Sequence, residues 1–253
     1  MNPETLNTIG LILVFMLAMS WHEAAHAWVA DRLGDPTARK LGRITLNPLK
    51  HLDPFLSLIL PALVYSTTGF IFGGAKPVPI NPAYFKNKSR GFMLVALAGP
   101  GSNLLMAVGF AGAYVLCAWF GVFDGGAVTV NPYGGSDVSS VPSLLRDMDR
   151  LLGRQALYTV GQQWLVMGVL INVLLAVFNM IPLPPLDGSR VVGWILPAKL
   201  KGLWYGLDRT GMLLILVFIL LLGGFRYVLW IATPVAVSIG VLTDLVIALD
   251  PLS

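Results

Sequence analysis

The residues best suited to chemistry are His22, Glu23 and His26, which form the pattern H-E-x-x-H within the first apolar segment. On a helix, positions i and i+4 lie on the same face one turn apart, so both imidazoles can reach one cation. Glu23 lies beside them, where its carboxylate can accept a proton from water. In soluble proteins the same short pattern also arises by chance, with histidines that only bond to helix neighbours.

The composition places this motif in a lipid environment. Hydrophobic residues make up 56% of the 253 residues and charged residues 12%, with a mean hydropathy of +0.74. Soluble chains carry roughly 25% charged residues, so lipid must cover part of this protein. Disordered, collagenous and nucleic-acid-binding classes are excluded, and a single cysteine, Cys117, cannot form an internal disulfide.

The membrane context favours a metal site over inert packing. An ionisable side chain in a membrane helix costs roughly 2.5–3.5 kcal/mol on insertion scales. The motif places His22, Glu23 and His26 within five residues of such a helix. We therefore predict that His22 and His26 bind a zinc ion.

A third ligand must come from elsewhere in the chain, because catalytic zinc takes three protein ligands and leaves one position for water. Glu4 is the only other glutamate and His51 the only other histidine, so His51 or an aspartate must complete the set. Asp187 is the best candidate, since it follows an apolar segment and a run of prolines that breaks the helix. The alternative is an ordinary interfacial aspartate at a helix exit.

Five apolar stretches that lack Lys are candidates for the membrane helices that position these residues. They run from about Leu6 to Ala30, Phe92 to Phe120, Leu157 to Ile181, Thr210 to Gly224 and Val228 to Leu249. The fourth is short for a crossing unless its start lies nearer Trp204.

Residues 55–72 are also apolar enough to cross, but basic residues lie on both flanks. A crossing would place one basic cluster on the side of the membrane that is poor in positive charge. Pro54, Pro61 and Gly69 also argue against one straight helix. We therefore expect a re-entrant hairpin here, and predict an all-α polytopic membrane protein with about five transmembrane helices plus that hairpin.

The motifs resemble those of the site-2 protease family of intramembrane zinc metalloproteases, over about residues 10–195. Three patterns recur in the family's order: His22-Glu23-x-x-His26, Gly99-Pro100-x-x-Asn103 and Asn179-x-x-Pro182-x-Pro184-x-Leu186-Asp187-Gly188. Residues 47–54 and 75–79 are similar to those of short bacterial-type members without appended PDZ or CBS domains.

The resemblance implies that His22, His26 and Asp187 bind one zinc ion inside the membrane and that Glu23 is the general base. Asn179 matches an asparagine that holds the substrate or stabilises the oxyanion. The implied activity is that of a zinc endopeptidase that hydrolyses peptide bonds in or near transmembrane segments of membrane proteins. Its expected partners are those substrates and the lipid bilayer, without nucleic acid, and the oligomeric state stays open.

Shared zinc ligation also constrains the topology. His22 lies towards the C-terminal end of its helix and Asp187 just past that of its own, so an even number of crossings must separate them. The segments at 92–120 and 157–181 supply two, which agrees with a re-entrant hairpin at 55–72. The basic clusters predict a multi-pass protein of the cell membrane, with the zinc end towards the cytoplasm and the N-terminus outside.

We expect one integral-membrane metalloprotease domain over 1–253, with a catalytic core at about 6–195 and a C-terminal helical pair at about 203–249. The alternative is a zinc-binding membrane protein without hydrolysis, such as a transporter or sensor. Glu23 separates the two, because a transport site does not need a carboxylate adjacent to two histidine ligands.

Three further polar residues carry weaker predictions. His51 and Asp53 lie in a proline-bounded segment, where an interfacial turn is favoured over a gating or substrate-contact role. Asn103 is expected to form helix-to-helix hydrogen bonds or to neighbour the site. The Gly-Pro-Gly at 99–101 either loosens its helix or permits close packing.

Overall fold

The computed structural model describes residues 3–59, 73–120, 122, 160–220 and 224–248. All regular structure in these ranges is helical, and no strand occurs within them. The α-helices are α1 (Pro3–Arg32), α2 (Thr37–Lys40), α3 (Lys88–Trp119), α4 (Val160–Asn179), α5 (Asp187–Ile195), α6 (Ala198–Gly206), α7 (Gly211–Leu220) and α8 (Gly224–Ala248). Short 3-10 turns occupy Pro48–Lys50, Pro82–Tyr84 and Leu207–Thr210, and a π-helical turn occupies Phe55–Ile59.

Four helical stretches in the described ranges are long and apolar enough to cross a membrane: Ile9–Arg32, Lys88–Trp119, Val160–Asn179 and Ala198–Ile219. A shorter apolar stretch, Tyr227–Gly240, lies within α8. The predicted class, an all-α polytopic membrane protein, is confirmed.

The fourth crossing begins at Ala198, earlier than Thr210, where the apolar run of the sequence begins. Gly206 and Gly211 both keep helical dihedral angles, with φ/ψ of −62°/−29° and −58°/−41°. The turn Leu207–Thr210 therefore joins α6 to α7 along one continuous helical path that starts at Ala198. The short apolar run is lengthened in this way to a membrane-spanning stretch.

Local signals in the sequence set the helix ends next to the motifs. After α1, Gly34 adopts a φ of 104°, and Asp35 N donates to Ala30 O at 2.9 Å. A glycine in the left-handed region is the common way to end a helix. At the start of α3, the Asn87 side chain accepts a hydrogen bond from Arg90 N at 3.0 Å and so caps the helix.

Residues 60–72 lie outside the described ranges, so the re-entrant hairpin stays a prediction. The residues on either side of this gap meet, since Gly74 N donates to Leu56 O at 2.9 Å and Ser57 Oγ donates to Gly74 O at 2.8 Å. A single crossing would separate its ends by about 30 Å. Residues 56–57 and 74 are therefore much closer together than the two ends of a single crossing.

The chain forms two compact units. One comprises Met1–Phe15, Leu104–Leu174 and Phe225–Ser253, and in it the Phe110 ring of α3 packs against the backbone of Gly168 in α4. The other comprises Met16–Asn103 and Leu175–Gly224 and contains every residue that the sequence marks as a candidate for chemistry. The expected division into a core at 6–195 and a C-terminal pair stays a prediction.

Candidate metal centre

Helix α1 presents His22, Glu23 and His26 on a buried face, with exposed fractions of 4%, 9% and 6%. The two imidazole rings lie edge to face, with centroids 4.5 Å apart and an interplanar angle of 88°. Their Nε2 atoms are 3.0 Å apart. The spacing of four residues therefore brings two nitrogen atoms to one point, as predicted.

Helix α3 fixes the orientation and the tautomer of both rings. His26 Nδ1 donates to Val95 O at 2.7 Å, and His22 Nδ1 lies 2.6 Å from Asn103 Oδ1. Asn103 Nδ2 donates to Ala18 O at 3.3 Å, which turns the amide oxygen towards His22. Because both Nδ1 atoms face acceptors, the hydrogen of each neutral ring is on Nδ1 and each Nε2 keeps a lone pair.

Gly99 permits this close approach of α3 to the histidines. A Cβ atom at position 99 would lie 2.4 Å from His26 Nε2 and 2.5 Å from His22 Cε1. The helix runs without interruption through Pro100. Of the two explanations for the Gly-Pro-Gly sequence, close packing is the one that the contacts of Gly99 support.

Asp187 meets the histidines from the start of α5. Its Oδ2 lies 3.2 Å from His22 Nε2 and 3.3 Å from His26 Nε2. This oxygen is buried and makes no hydrogen bond to any residue in the described ranges. The carboxylate is held by a turn in which Leu186 N donates to Leu183 O at 2.9 Å, after the prolines have ended α4.

The three side chains fit a cation better than they fit one another. Their ligand atoms all lie within 4.8 Å of one another, and two imidazole lone pairs facing a carboxylate oxygen repel unless a positive charge lies between them. Tetrahedral zinc with bonds of 2.0–2.1 Å has ligand atoms about 3.3 Å apart. The observed separations of 3.0, 3.2 and 3.3 Å match that spacing.

Glu23 is held by a backbone group from outside α1. Val78 N donates to Glu23 Oε2 at 2.9 Å. Val78 belongs to residues 73–81, which we call the strap, a segment without helix or strand. Besides the bonds of Gly74 given above, further hydrogen bonds fix the strap: Lys76 N donates to His51 O at 2.7 Å, Arg43 donates to Lys76 O at 2.6 Å, and Asn81 N donates to Asp35 Oδ2 at 2.6 Å.

The hydrogen bonds that the structure describes for the remaining predicted residues, Asn179, His51 and Asp53, are not to His22, His26 or Asp187. Asn179 ends α4 half-buried, and its Nδ2 donates to Leu175 O at 3.0 Å within the same helix, so its catalytic role stays a prediction. His51 is buried and its Nε2 lies 2.9 Å from Thr45 O. Asp53 Oδ1 accepts hydrogen bonds from Phe55 N and Leu56 N. The contacts of His51 and Asp53 are those of a turn, which was the favoured interpretation.

Two contributors to the site escaped the sequence reasoning because they are backbone atoms, Val95 O and Val78 N. A carbonyl in the middle of a helix carries no signal in the side-chain pattern. The N–H of Val78 does have a sequence signal. Pro77 and Pro79 lack N–H groups, so Val78 is the only backbone donor of that tripeptide.

Two histidines and one aspartate, in a chain with several helices apolar enough to cross a membrane, thus form a cluster that could hold a metal ion. Residues 10–223 match the model of Peptidase family M50. The chain is 35% identical over 222 residues to "Putative zinc metalloprotease YwhC" of Bacillus subtilis (strain 168), which covers 87% of this chain and 84% of that protein. It is 38% identical over 113 residues to "Putative zinc metalloprotease Rip2" of Mycolicibacterium smegmatis, 42% of each chain.

No solved structure matches the chain significantly. The family match covers most of the sequence, so the chain belongs to peptidase family M50, the site-2 protease family. It is a multi-pass membrane protein and a zinc metalloendopeptidase. The resemblance seen in the motifs is thereby confirmed, and membership of a peptidase family decides against a transporter or sensor.

Proposed function

We propose that the protein is an intramembrane endopeptidase that hydrolyses peptide bonds in or near transmembrane segments of other membrane proteins. His22, His26 and Asp187 would hold the zinc ion and Glu23 would act as general base. The observation that carries this proposal is the convergence of the two Nε2 atoms and Asp187 Oδ2 at separations of 3.0–3.3 Å. Family membership supports the same assignment.

A zinc ion bound there would supply a Lewis acid that lowers the pKa of water towards 7 and polarises a peptide carbonyl. The protein's own residues do the rest. Glu23 is buried on the same helix as the two histidines, and its carboxylate would accept the proton of the attacking water and pass it to the leaving amine. The bond from Val78 N to Oε2 restricts the rotation of this carboxylate.

The substrate class follows from the surroundings of the site. The histidines lie in a stretch, Ile9–Arg32, that is apolar enough to cross the membrane. A substrate helix shields its carbonyl groups in i-to-i−4 hydrogen bonds, so it must unwind before cleavage, and small or helix-breaking residues favour this step. Asn179 is proposed to hold the unwound segment or to stabilise the oxyanion.

The sidedness follows from the distribution of charge. Basic residues cluster after α1 and before α3, at the end of α1 that carries the motif. By the positive-inside rule this end faces the cytoplasm. We therefore propose cleavage near the cytoplasmic face of the cell membrane, with the N-terminus outside.

Glu23→Gln tests the mechanism, because it keeps the shape of the side chain and removes the base. We expect the variant to bind one zinc ion and to lose cleavage of a co-expressed membrane substrate by about 10²- to 10⁴-fold. Asp53→Asn is the matched control, since it makes the same chemical change in a turn and should retain activity. Unchanged cleavage by a zinc-loaded Glu23→Gln variant would overturn the general-base assignment.

Asp187→Ala tests the ligand set independently of catalysis. Zinc measured per purified protein should fall well below the wild-type value, since two imidazoles alone hold zinc weakly. A variant that keeps the full zinc content would remove Asp187 from the proposed centre.

A further inference from the structure

The position of Asp187 relative to His22 and His26 is not fixed by α5 alone. It is the first residue of α5, a helix of nine residues that follows a proline-rich turn. The N-cap residue, Leu186, makes no side-chain capping bond. The distance from Asp187 to the histidines of α1 therefore depends on what holds α5 against its neighbours.

Besides the bond from Trp204 Nε1 to Ser189 O at 2.8 Å, the side chain of Arg190 holds α5 against its neighbours. Its Nη1 donates to Asp208 Oδ2 at 2.7 Å, and its Cζ lies 5.0 Å from the centroid of the Phe92 ring and 5.7 Å from that of Tyr205. The side chain is 16% exposed. One guanidinium thus joins α5 to α3, to α6 and to the turn that follows α6.

The two rings form a surface suited to a planar cation. Their centroids lie 6.4 Å apart and the ring planes are inclined by 48°. A guanidinium stacks on aromatic rings and donates in its own plane at the same time, which an ammonium group cannot do. The ion pair with Asp208 is partly exposed and is weak by itself. The ion pair and the two ring contacts together therefore hold α5 more firmly than any one of them.

The contact between Arg190 and Phe92 links the helix that carries Asp187 to the helix that binds His26. Phe92 lies three residues before Val95, whose carbonyl accepts from His26. Arg190 lies three residues after Asp187. On a helix three residues are about one turn, so the contact of Phe92 with Arg190 lies one turn from Val95, which binds His26, and one turn from Asp187.

We propose that Arg190 is a positioning residue that sets the distance between Asp187 and the two histidines, and with it the affinity for zinc. The inference rests on the proposed ligation of zinc by Asp187. Arg190 does not contact the ligand atoms and acts only by fixing α5 against Phe92, Tyr205 and Asp208.

Arg190→Met tests this proposal, because methionine keeps an apolar stem and removes the cation. The measurement is the zinc affinity of the purified, detergent-solubilised protein in competition with a chelator. We expect a fall of about 10- to 100-fold, the range known for groups that orient metal ligands. Peptidase activity should drop at limiting zinc and return when zinc is raised, which a fold defect would not allow.

Arg39→Met is the matched control. Arg39 also pairs with an aspartate, Asp31, at 3.1 Å, but its side chain is 66% exposed. Its zinc affinity should equal that of the wild type. Arg190→Lys and Asp208→Asn make smaller changes and should give intermediate affinities, while Asp208→Glu should restore part of what Asp208→Asn loses. These variants decide the matter if Arg190→Met does not fold.

The outcomes separate this inference from the proposed function. If Asp187→Ala loses zinc while every Arg190 and Asp208 variant binds zinc as the wild type does, the positioning role is wrong and the ligand set stands. If Asp187→Ala keeps its zinc, the ligand set is wrong and the positioning role falls with it. A graded loss of affinity in the Arg190 series, with Arg39→Met unchanged, supports the proposal.

Discussion

The chemistry of His22 and His26 is decided by two oxygen atoms on α3. Val95 O and Asn103 Oδ1 each face an Nδ1 atom, and this leaves both Nε2 lone pairs directed at Asp187 Oδ2. A histidine that donated from Nε2 would be a poor ligand, so the hydrogen-bond acceptor matters as much as the histidine. Asn103 therefore neighbours the site and links two helices at once, which unites the two roles considered for it.

Gly99→Ala should weaken zinc binding, because Gly99 of α3 lies directly against the two histidine rings. The added Cβ would lie 2.4 Å from His26 Nε2, so an imidazole or the helix backbone must shift. We expect a loss of zinc affinity of about 10-fold or more, as for other changes that misalign ligands, measured by chelator competition.

Gly101→Ala is the control for Gly99→Ala, because it lies on the same helix with nothing within 4 Å of an added Cβ. Alanine is favoured over glycine in a helix by about 1 kcal/mol, so this variant should bind zinc normally and melt slightly higher. Equal zinc affinities for the two alanine variants would contradict the steric role of Gly99.

The strap contacts the site through backbone N–H groups, whereas the helices contact it mainly through side chains. Its Val78 N–H holds Glu23, and Asn81 N–H binds Asp35, which is fully buried at the end of α1. Both carboxylates come from the same stretch of chain as the H-E-x-x-H motif. The strap is thereby fixed at two points, one on α1 and one in the turn that follows α1.

Val78→Pro should reduce turnover by removing the N–H that restricts Glu23. Val78 lies between Pro77 and Pro79, outside helix and strand, so a proline there interrupts no helix or strand. We expect kcat to fall roughly 10-fold or more, part of what a general base contributes, with zinc content unchanged.

Val78→Ala is the comparison for Val78→Pro, since it keeps the N–H and removes most of the side chain. Val78 packs in a small cluster with Ala27 and Ala38, so both variants lose packing. If the two variants turn over substrate equally slowly, packing rather than the hydrogen bond supports Glu23.

The sequence predicts those parts of the site that depend on side-chain type and spacing. The i and i+4 histidines meet as expected, and the scarcity of glutamate and histidine points to Asp187, which lies 3.2 Å from His22. Val95 O and Val78 N were out of reach, because every residue has these atoms and only the packing of α3 and the strap selects them. The fourth crossing starts at Ala198, before both Thr210 and the alternative start near Trp204, because polar residues at 199–209 interrupt the apolar run without ending the helical path.

At the scale of the whole molecule, all residues of the proposed centre belong to one compact unit, Met16–Asn103 with Leu175–Gly224. Its two stretches of chain are separated by 71 residues of sequence, 104–174. An ion bound by His22, His26 and Asp187 would join these stretches directly. Metal binding should therefore stabilise the folded protein as well as enable hydrolysis.

Removal of zinc by a chelator should lower the Tm of the protein in detergent. A ligand at 100 times its Kd stabilises the native state by about 2.7 kcal/mol. Added zinc should restore the wild-type Tm, and the Asp187→Ala variant should show a much smaller response. A Tm that is the same with and without chelator would show that the ion contributes nothing to folding.

The tautomers fixed by Val95 and Asn103 also determine the electrostatic balance of the centre. With both imidazoles neutral and both carboxylates of the proposed centre ionised, one divalent cation would compensate Glu23 and Asp187, and the loaded centre would have no net charge. Burial of an uncompensated ion in a medium of low dielectric is costly. Under the proposed ligation, this electroneutrality would let a chain with 12% charged residues hold two carboxylates inside the membrane. It also predicts that ions of other valence are poor substitutes, while cobalt(II), which has the same charge, preserves the balance.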